Sequence, residues 1–270
     1  MVAVQTAIDT HDVDVLVIGA GPAGSTAATL LAERGHRVVL LEKAHHPRFH
    51  IGESLLPANL PLFERLGVAE EIRAIGMQKW GAEFVSPWHG RNEIFEFKDA
   101  TNAQLPYAYQ VRRSQFDEIL VRRAGRAGAQ VIEGCRVHAA DVSAGAQFVR
   151  VEARHDDERA ESWRARFLVD ASGRDTFLAA QLGAKRRNRK HNSAAIYAHF
   201  AGAQQYPERR AGNISIYWFE HGWLWFIPLA DGASSVGAVV WPAYLKERRV
   251  SLTEFFLATI TKCAPLAARL

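Results

Sequence analysis

The first ordered pattern in the chain is an uninterrupted apolar run, Val15 to Ile18, followed by small residues and then by apolar positions at helical spacing from Ser25 to Arg34. Such a run predicts a strand buried on both faces of a parallel sheet, and Gly35 marks the end of the helix behind it. "RVVLL" predicts a second parallel strand that ends at Glu42. From Ala129 to Asp170 short alternating segments broken by polar turns predict a meander inserted into the same domain. A second sheet is expected from "RNEIFEFKD", "GNISIYWFE", "WLWFIPL" and "SSVGAVVW", read as antiparallel strands, with a further strand starting at Lys79 and running to Val85. "LTEFFLATITKCAPLAARL" predicts one amphipathic helix.

The turn after the first strand carries the pattern G-x-G-x-x-G at Gly19, Gly21 and Gly24, with Pro22 and Ala23 between them. Gly19 permits a tight turn, Gly21 lets the backbone approach a pyrophosphate, and Gly24 lets helix and strand pack closely. The helix N-terminus adds unpaired N–H groups and a positive dipole end. Glu42, at the tip of the second strand, is placed to accept ribose hydroxyls, and Lys43 beside it reads as a charge on the same side. Strand, turn, helix, strand and acid together predict a dinucleotide-binding domain. The glycines, Pro22, Ser25 and Thr26 also interrupt Val15 to Ala32, so the stretch does not read as a membrane span.

Composition narrows the class. The 270 residues carry a formal charge of +4 and 48% hydrophobic residues, as in an ordinary globular protein able to bury a large core. The one basic run, "KRRNRK" at Lys185 to Lys190, lacks interleaved aromatics and reads as a solvated linker, so no nucleic acid is expected. Cys135 and Cys263 lie far apart with no ligand spacing, which fits a reduced, cytoplasmic setting. The N-terminal stretch lacks the pattern of a signal peptide. His45, His46 and His50 share no regular helical face, and no metal site is expected from them.

"GAGPAG", "PRFHIGESLLP", "YQVRRSQFDEIL", "DASGR" and "GWLWFIPL" together resemble the flavin-dependent halogenase (tryptophan halogenase-like) branch of the FAD-containing aromatic monooxygenase and geranylgeranyl reductase superfamily. The last string matches the W-x-W-x-I-P signature of those halogenases through Trp223, Trp225, Ile227 and Pro228. On a strand the two indoles share one face, with Leu224 and Phe226 on the other, and Pro228 ends the pairing. The resemblance implies that these four residues line a substrate tunnel. It implies an FAD shell of Gly52, Glu53 and Ser54 against the flavin, Arg113 at a helix start with Arg112 as its rival, and Val137, Asp170 and Gly173. Lys79, in "GMQKWGAEF", resembles the active-site lysine of the branch acting on phenols and pyrroles.

The implied chemistry is installation of chloride or bromide on an electron-rich aromatic. Reduced FAD and O2 give a flavin hydroperoxide, halide is oxidised to hypohalous acid, and the lysine directs it. A lysine in an apolar tunnel has a lowered pKa and can act as a neutral amine. The implied partners are a small aromatic, free or tethered to a carrier, and a separate flavin reductase. A reductase or monooxygenase of the same superfamily, such as a prenyl reductase, remains an alternative, as does an incomplete, inactive flavoprotein.

The expected architecture is α/β: a Rossmann-like FAD-binding domain from 1–45 and 105–185, with an inserted antiparallel β-sheet substrate domain from 46–104 and 186–270. No Gly-Asp dipeptide occurs in the chain, whereas relatives carry one in a segment beyond this point. The C-terminal part of the family fold is therefore expected to be absent, in a fragment or in a short form.

Overall fold

The computed structural model describes residues 10–100, 105–143, 145–186, 188 and 192–270. The N-terminal segment through residue 9 and residues 187, 189 and 190 of the basic run lie outside the described residues. The chain divides into two compact units, Met1–His50 with Arg113–Arg186, and Ile51–Arg112 with Arg187–Leu270.

The first unit is built on a six-stranded sheet. Its order is Gln130–Ile132, Val38–Leu41, Thr10–Ile18, Ala160–Asp170, Val149–His155 and Cys135–Asp141. The first four strands run parallel; Val149–His155 is antiparallel to both of its neighbours, so Cys135–Asp141 runs with the first four and the meander extends the same sheet. Alternate residues of the central strand enter opposite cores. Leu16 and Ile18 pack with Val39, Leu41 and Trp163 on one side. Val15 and Val17 pack with Val38, Leu40, Ala28 and Val121 on the other. Double-sided burial of this kind is why the strand reads as a solid apolar run. The helix Pro22–Ala32 starts earlier than its apolar spacing suggests, because Pro22 suits the first helical position, where no N–H is needed. Gly35 follows it with a positive φ of 83°.

In the second unit the sheet order is Ala194–Phe200, Ser234–Val240, Gly222–Pro228, Ile214–Phe219, Gly81–Val85 and Asn92–Glu96. One pair departs from the expected antiparallel pattern: Ile214–Phe219 runs parallel to Gly81–Val85. One face of the sheet, with Tyr217, Leu224, Phe226, Val236 and Ala238, packs on Phe255, Phe256 and Ile260. These come from the helix Leu252–Thr261, opened by a capping box between Ser251 and Glu254. The C-terminal stretch is two helices rather than one, because the chain turns at Cys263 before Pro265, which opens the short helix Ala264–Ala267.

The strand expected from Lys79 to Val85 is also two. Met77–Lys79 pairs with Ala108–Gln110 in a separate ribbon, and Gly81–Val85 joins the large sheet. The break falls at Trp80, where the N–H groups of Trp80 and Gly81 both donate to Asn213 Oδ1, at 2.9 and 3.0 Å. No side chain fits at Gly81, since a Cβ there would lie 2.3 Å from the Phe95 carbonyl oxygen.

Candidate functional site

A cavity of about 520 Å³ opens in the first unit, and Gly19, Gly21, Pro22, Ala23, Glu42, Lys43, Arg113, Val137 and Gly173 all line it. Gly19 has φ of 95°, and a Cβ there would sit 2.6 Å from the Ala171 carbonyl oxygen. Gly24 does not face the cavity; a Cβ there would meet Gly19 O at 1.9 Å, so its bareness lets helix and turn close together. At Gly21 the space is open, with only Arg48 Nη2, at 3.7 Å, near the position of an added Cβ. Gly21 caps the helix with no side-chain bond, which leaves the first-turn N–H groups for a ligand.

Glu42 is buried with its carboxylate fixed by two backbone donors, Ala20 N at 2.8 Å and Ala44 N at 3.0 Å. A carboxylate accepts about four hydrogen bonds, so capacity for ribose hydroxyls remains. Lys43 pairs with Asp175. Asp170 does not line the cavity: its carboxylate accepts from Ser172 N at 3.0 Å and Leu178 N at 2.8 Å, shaping the turn that carries Gly173. Arg113 opens the helix Arg113–Arg126 and grips Asp117 through two hydrogen bonds, at 2.7 and 3.0 Å.

Arg48 is a lining residue that the sequence reading passed over, inside a segment read for its histidines. Those histidines find other partners: His45 meets Asp156 at 2.8 Å and His46 meets Glu133 at 2.7 Å. Among the described residues no cluster of three His, Cys, Asp or Glu could hold a metal ion. Cys135 lines the cavity, but burial pushes its thiol up to about 11, which keeps it protonated.

The second unit holds Gly52, Glu53, Ser54 and Lys79. Ser54 bridges antiparallel to Gln110, and Lys79 pairs with Ala108 on the other edge of the same strand. The ribbon brings the lysine Nζ to 2.5 Å from Ser54 Oγ, which accepts its hydrogen bond. Lys79 is 1% exposed and sits 5.5 Å from the centre of the Phe97 ring. Burial pushes its pKa down to about 8, and it has no carboxylate partner among the described residues.

Glu53, also buried, accepts a 2.6 Å hydrogen bond from His199 Nε2. His199 Nδ1 faces Arg112 Nη1 at 3.1 Å, and Arg112 pairs with Asp231. Because a guanidinium only donates, Nδ1 must accept, and the histidine proton lies on Nε2, toward Glu53. The two rival arginines therefore separate: Arg113 lines the cavity of the first unit, and Arg112 belongs to this network of the second. Neither His199 nor Asp231 was singled out in the sequence, because their partners come from distant segments.

Trp223, Trp225 and Ile227 share one face of the strand Gly222–Pro228, opposite the buried Leu224 and Phe226. The two indoles lie with ring centres 6.1 Å apart, and Tyr197 stacks on Trp225 at 6.3 Å. Trp225 Nε1 donates to Ser235 Oγ at 3.2 Å. Its ring covers Gly237, where a Cβ would come within 2.2 Å of indole Cζ2. Pro228 is the last residue of the strand, in register with Ser234.

The family model for an FAD binding domain matches residues 12–264. The chain belongs to the FAD-binding-domain family. It is 35% identical over 238 residues to tryptophan 2-halogenase of Chondromyces crocatus, covering 88% of this chain and 45% of that one. It is 32% identical over 272 residues to the 1H-pyrrole-2-carbonyl-[peptidyl-carrier protein] chlorinase of Pseudomonas fluorescens, covering 91% and 60%. The solved myxobacterial chondrochloren halogenase CndH superposes with a TM-score of 0.87 at 34% identity, covering 96% of this chain and 60% of that one. The chain thus spans about half the length of the curated halogenases it matches. FAD fits the cavity's donor set: glycines where a ligand needs room, an open helix N-terminus, a fixed acid at the strand tip, and Arg48 Nε, a buried donor with no acceptor among the described residues. No helix among the described residues is long and apolar enough to cross a membrane.

Proposed function

We propose that this chain carries the FAD-binding and lysine-bearing part of a flavin-dependent halogenase, placing chloride or bromide on an electron-rich aromatic of phenol or pyrrole type. The observation that carries this reading is Lys79, a fully buried amine with a hydroxyl for its partner and a pKa pushed down to about 8. An ordinary surface lysine is almost wholly protonated at neutral pH, whereas this one is neutral for roughly a tenth of the time at pH 7.

In this reading the diphosphate of FAD takes the turn at Gly19, Gly21, Pro22 and Ala23 together with Arg113, while Glu42 takes the ribose. Gly52, Glu53 and Ser54 face the flavin. FAD, delivered reduced by a separate reductase and reacting with O2, supplies the oxidising equivalent that turns halide into hypohalous acid. Lys79 donates one N–H to Ser54 Oγ and offers its lone pair to the halogen. The N–X bond forms as X–O breaks, and hydroxide leaves with the amine proton as water. Attack by the aromatic ring forms C–X and returns the electron pair to nitrogen; the ring then loses its proton. Trp223 and Trp225, their ring planes tilted by 51°, form with Ile227 an apolar wall against which an aromatic ring can pack, and Pro228 closes the strand behind them.

The test supplies reduced FAD, O2 and bromide with phenols and pyrroles, both free and bound to a carrier protein. Halide-dependent product is expected from the wild-type chain and none from Lys79→Ala, with FAD affinity unchanged. Halogenated product from Lys79→Ala overturns the lysine's role. An oxygenated or reduced product that forms without halide favours a monooxygenase or reductase instead.

A further inference from the structure

We infer that Asp117 positions a two-arginine clamp for the cofactor's diphosphate, with Arg113 as one arm and Arg48 as the other. The inference rests on reading the first unit's cavity as the FAD site. Asp117 lies one turn into the helix Arg113–Arg126 and is 0% exposed. A carboxylate buried to that degree must be paired. It binds Arg113 in a two-point grip and also meets Arg48 Nη1 at 3.4 Å.

Arg48 is held more loosely. Its contacts to Asp117 and, through Nη2, to Glu42 at 3.7 Å are longer than ordinary N–H···O hydrogen bonds. Its Nε is buried with no acceptor among the described residues. A guanidinium has five donors, so this one keeps donors to offer. It lines the cavity and overhangs the open space at Gly21, beside the helix N-terminus. Planar recognition of a phosphate by paired N–H groups is what arginine does best.

Charge alone makes the opposite forecast. A carboxylate beside an anion site repels the anion, so neutralising Asp117 should tighten binding. If the carboxylate acts by aiming two guanidiniums, neutralising it weakens binding. The sign of the effect decides between the two.

The experiment titrates FAD into the wild-type chain and into Asp117→Asn, Asp117→Glu and Arg48→Gln, with ADP as a competing diphosphate and with thermal unfolding of each chain free of FAD. Asp117→Asn is expected to weaken both FAD and ADP by about ten- to a hundredfold, and Asp117→Glu to restore part of the loss. Arg48→Gln is expected to weaken both ligands by about tenfold with unfolding of the free chain unchanged. Equal or tighter binding by Asp117→Asn overturns the clamp, as does a loss matched only by destabilisation of the free chain. If Asp117→Asn does not fold, Arg48→Gln decides, and unchanged FAD and ADP affinity there overturns the clamp. A wild-type chain that binds neither ligand refutes the FAD reading and the clamp with it. Wild-type binding that every variant retains refutes the clamp alone.

Discussion

The cavity of the first unit and the lysine pocket of the second are made by contrasting means. Around the cavity the decisive residues are ones without side chains: Gly19 and Gly24 permit a backbone approach that no other residue fits, and Gly21 leaves space for a ligand. In the second unit the decisive group is a side chain deprived of water, a buried ammonium facing a single hydroxyl. The contrast separates what each region demands of the fold. The cavity's own cost is confined to polar groups without partners, the first-turn N–H groups and Arg48 Nε, which a ligand's oxygens would meet. Lys79 works against the fold, since burial without an opposite charge disfavours its ionised form.

Substitutions at the second and third glycines of the turn probe the first half of that contrast and carry the largest effects. Gly24→Ala is expected to destabilise the free protein by about 3 kcal/mol or more, because its Cβ would meet backbone rather than a movable side chain. Gly21→Val should leave thermal unfolding of the free chain nearly unchanged and abolish FAD binding, read by flavin fluorescence. Destabilisation by both would mean that the middle glycine serves the fold as well, and the distinction would fail.

For the lysine the expected sign is reversed. Its folded value of about 8 lies below the ordinary 10.5, so the unfolded chain holds the proton more tightly. The penalty on folding is therefore complete below pH 8 and fades as the pH rises toward 10.5. Lys79→Met should stabilise the protein by up to about 3 kcal/mol at pH 7, with the gain vanishing near pH 10.5. Denaturant unfolding across that range checks it, and a variant less stable than wild type at pH 7 would show that Ser54 and Phe97 more than offset the desolvation. The smallest expected effect is at Asn213. Asn213→Ala removes the shared acceptor for Trp80 and Gly81 and should cost about 1–3 kcal/mol, measured by the same unfolding. It should also loosen Lys79, seen as a rise of its pKa toward the ordinary value.

What could be read in the sequence divides along the same line. The glycine turn, its strands and the acid at the second strand's tip are specified within a short span, so local pattern sufficed for Gly19, Gly21 and Glu42. Arg113 came from the resemblance instead, with Arg112 as its rival, and only the fold placed them in different units. Arg48 was not legible, because its significance comes from Asp117, far along the chain and on another element. The break at Trp80 was hidden similarly, since Asn213, which makes it, lies more than 130 residues away. His199 and Asp231 join Glu53 and Arg112 only once the strands of the second unit are paired. Periodicity found the strand Gly222–Pro228 and its two faces, but not the bare position beneath one of its indoles.

That bare position ties two residues into one heritable trait. While the indole of Trp225 rests where a Cβ at 237 would stand, no larger residue can enter at Gly237 by a single change. Shrinking Trp225 alone leaves a gap over exposed backbone, a change penalised before any benefit in shape arrives. A lineage that reshapes this aromatic wall must therefore cross a valley by altering both positions together. Screens that vary one residue at a time would score each partner as immutable and miss the neighbouring wall geometries that the pair can reach.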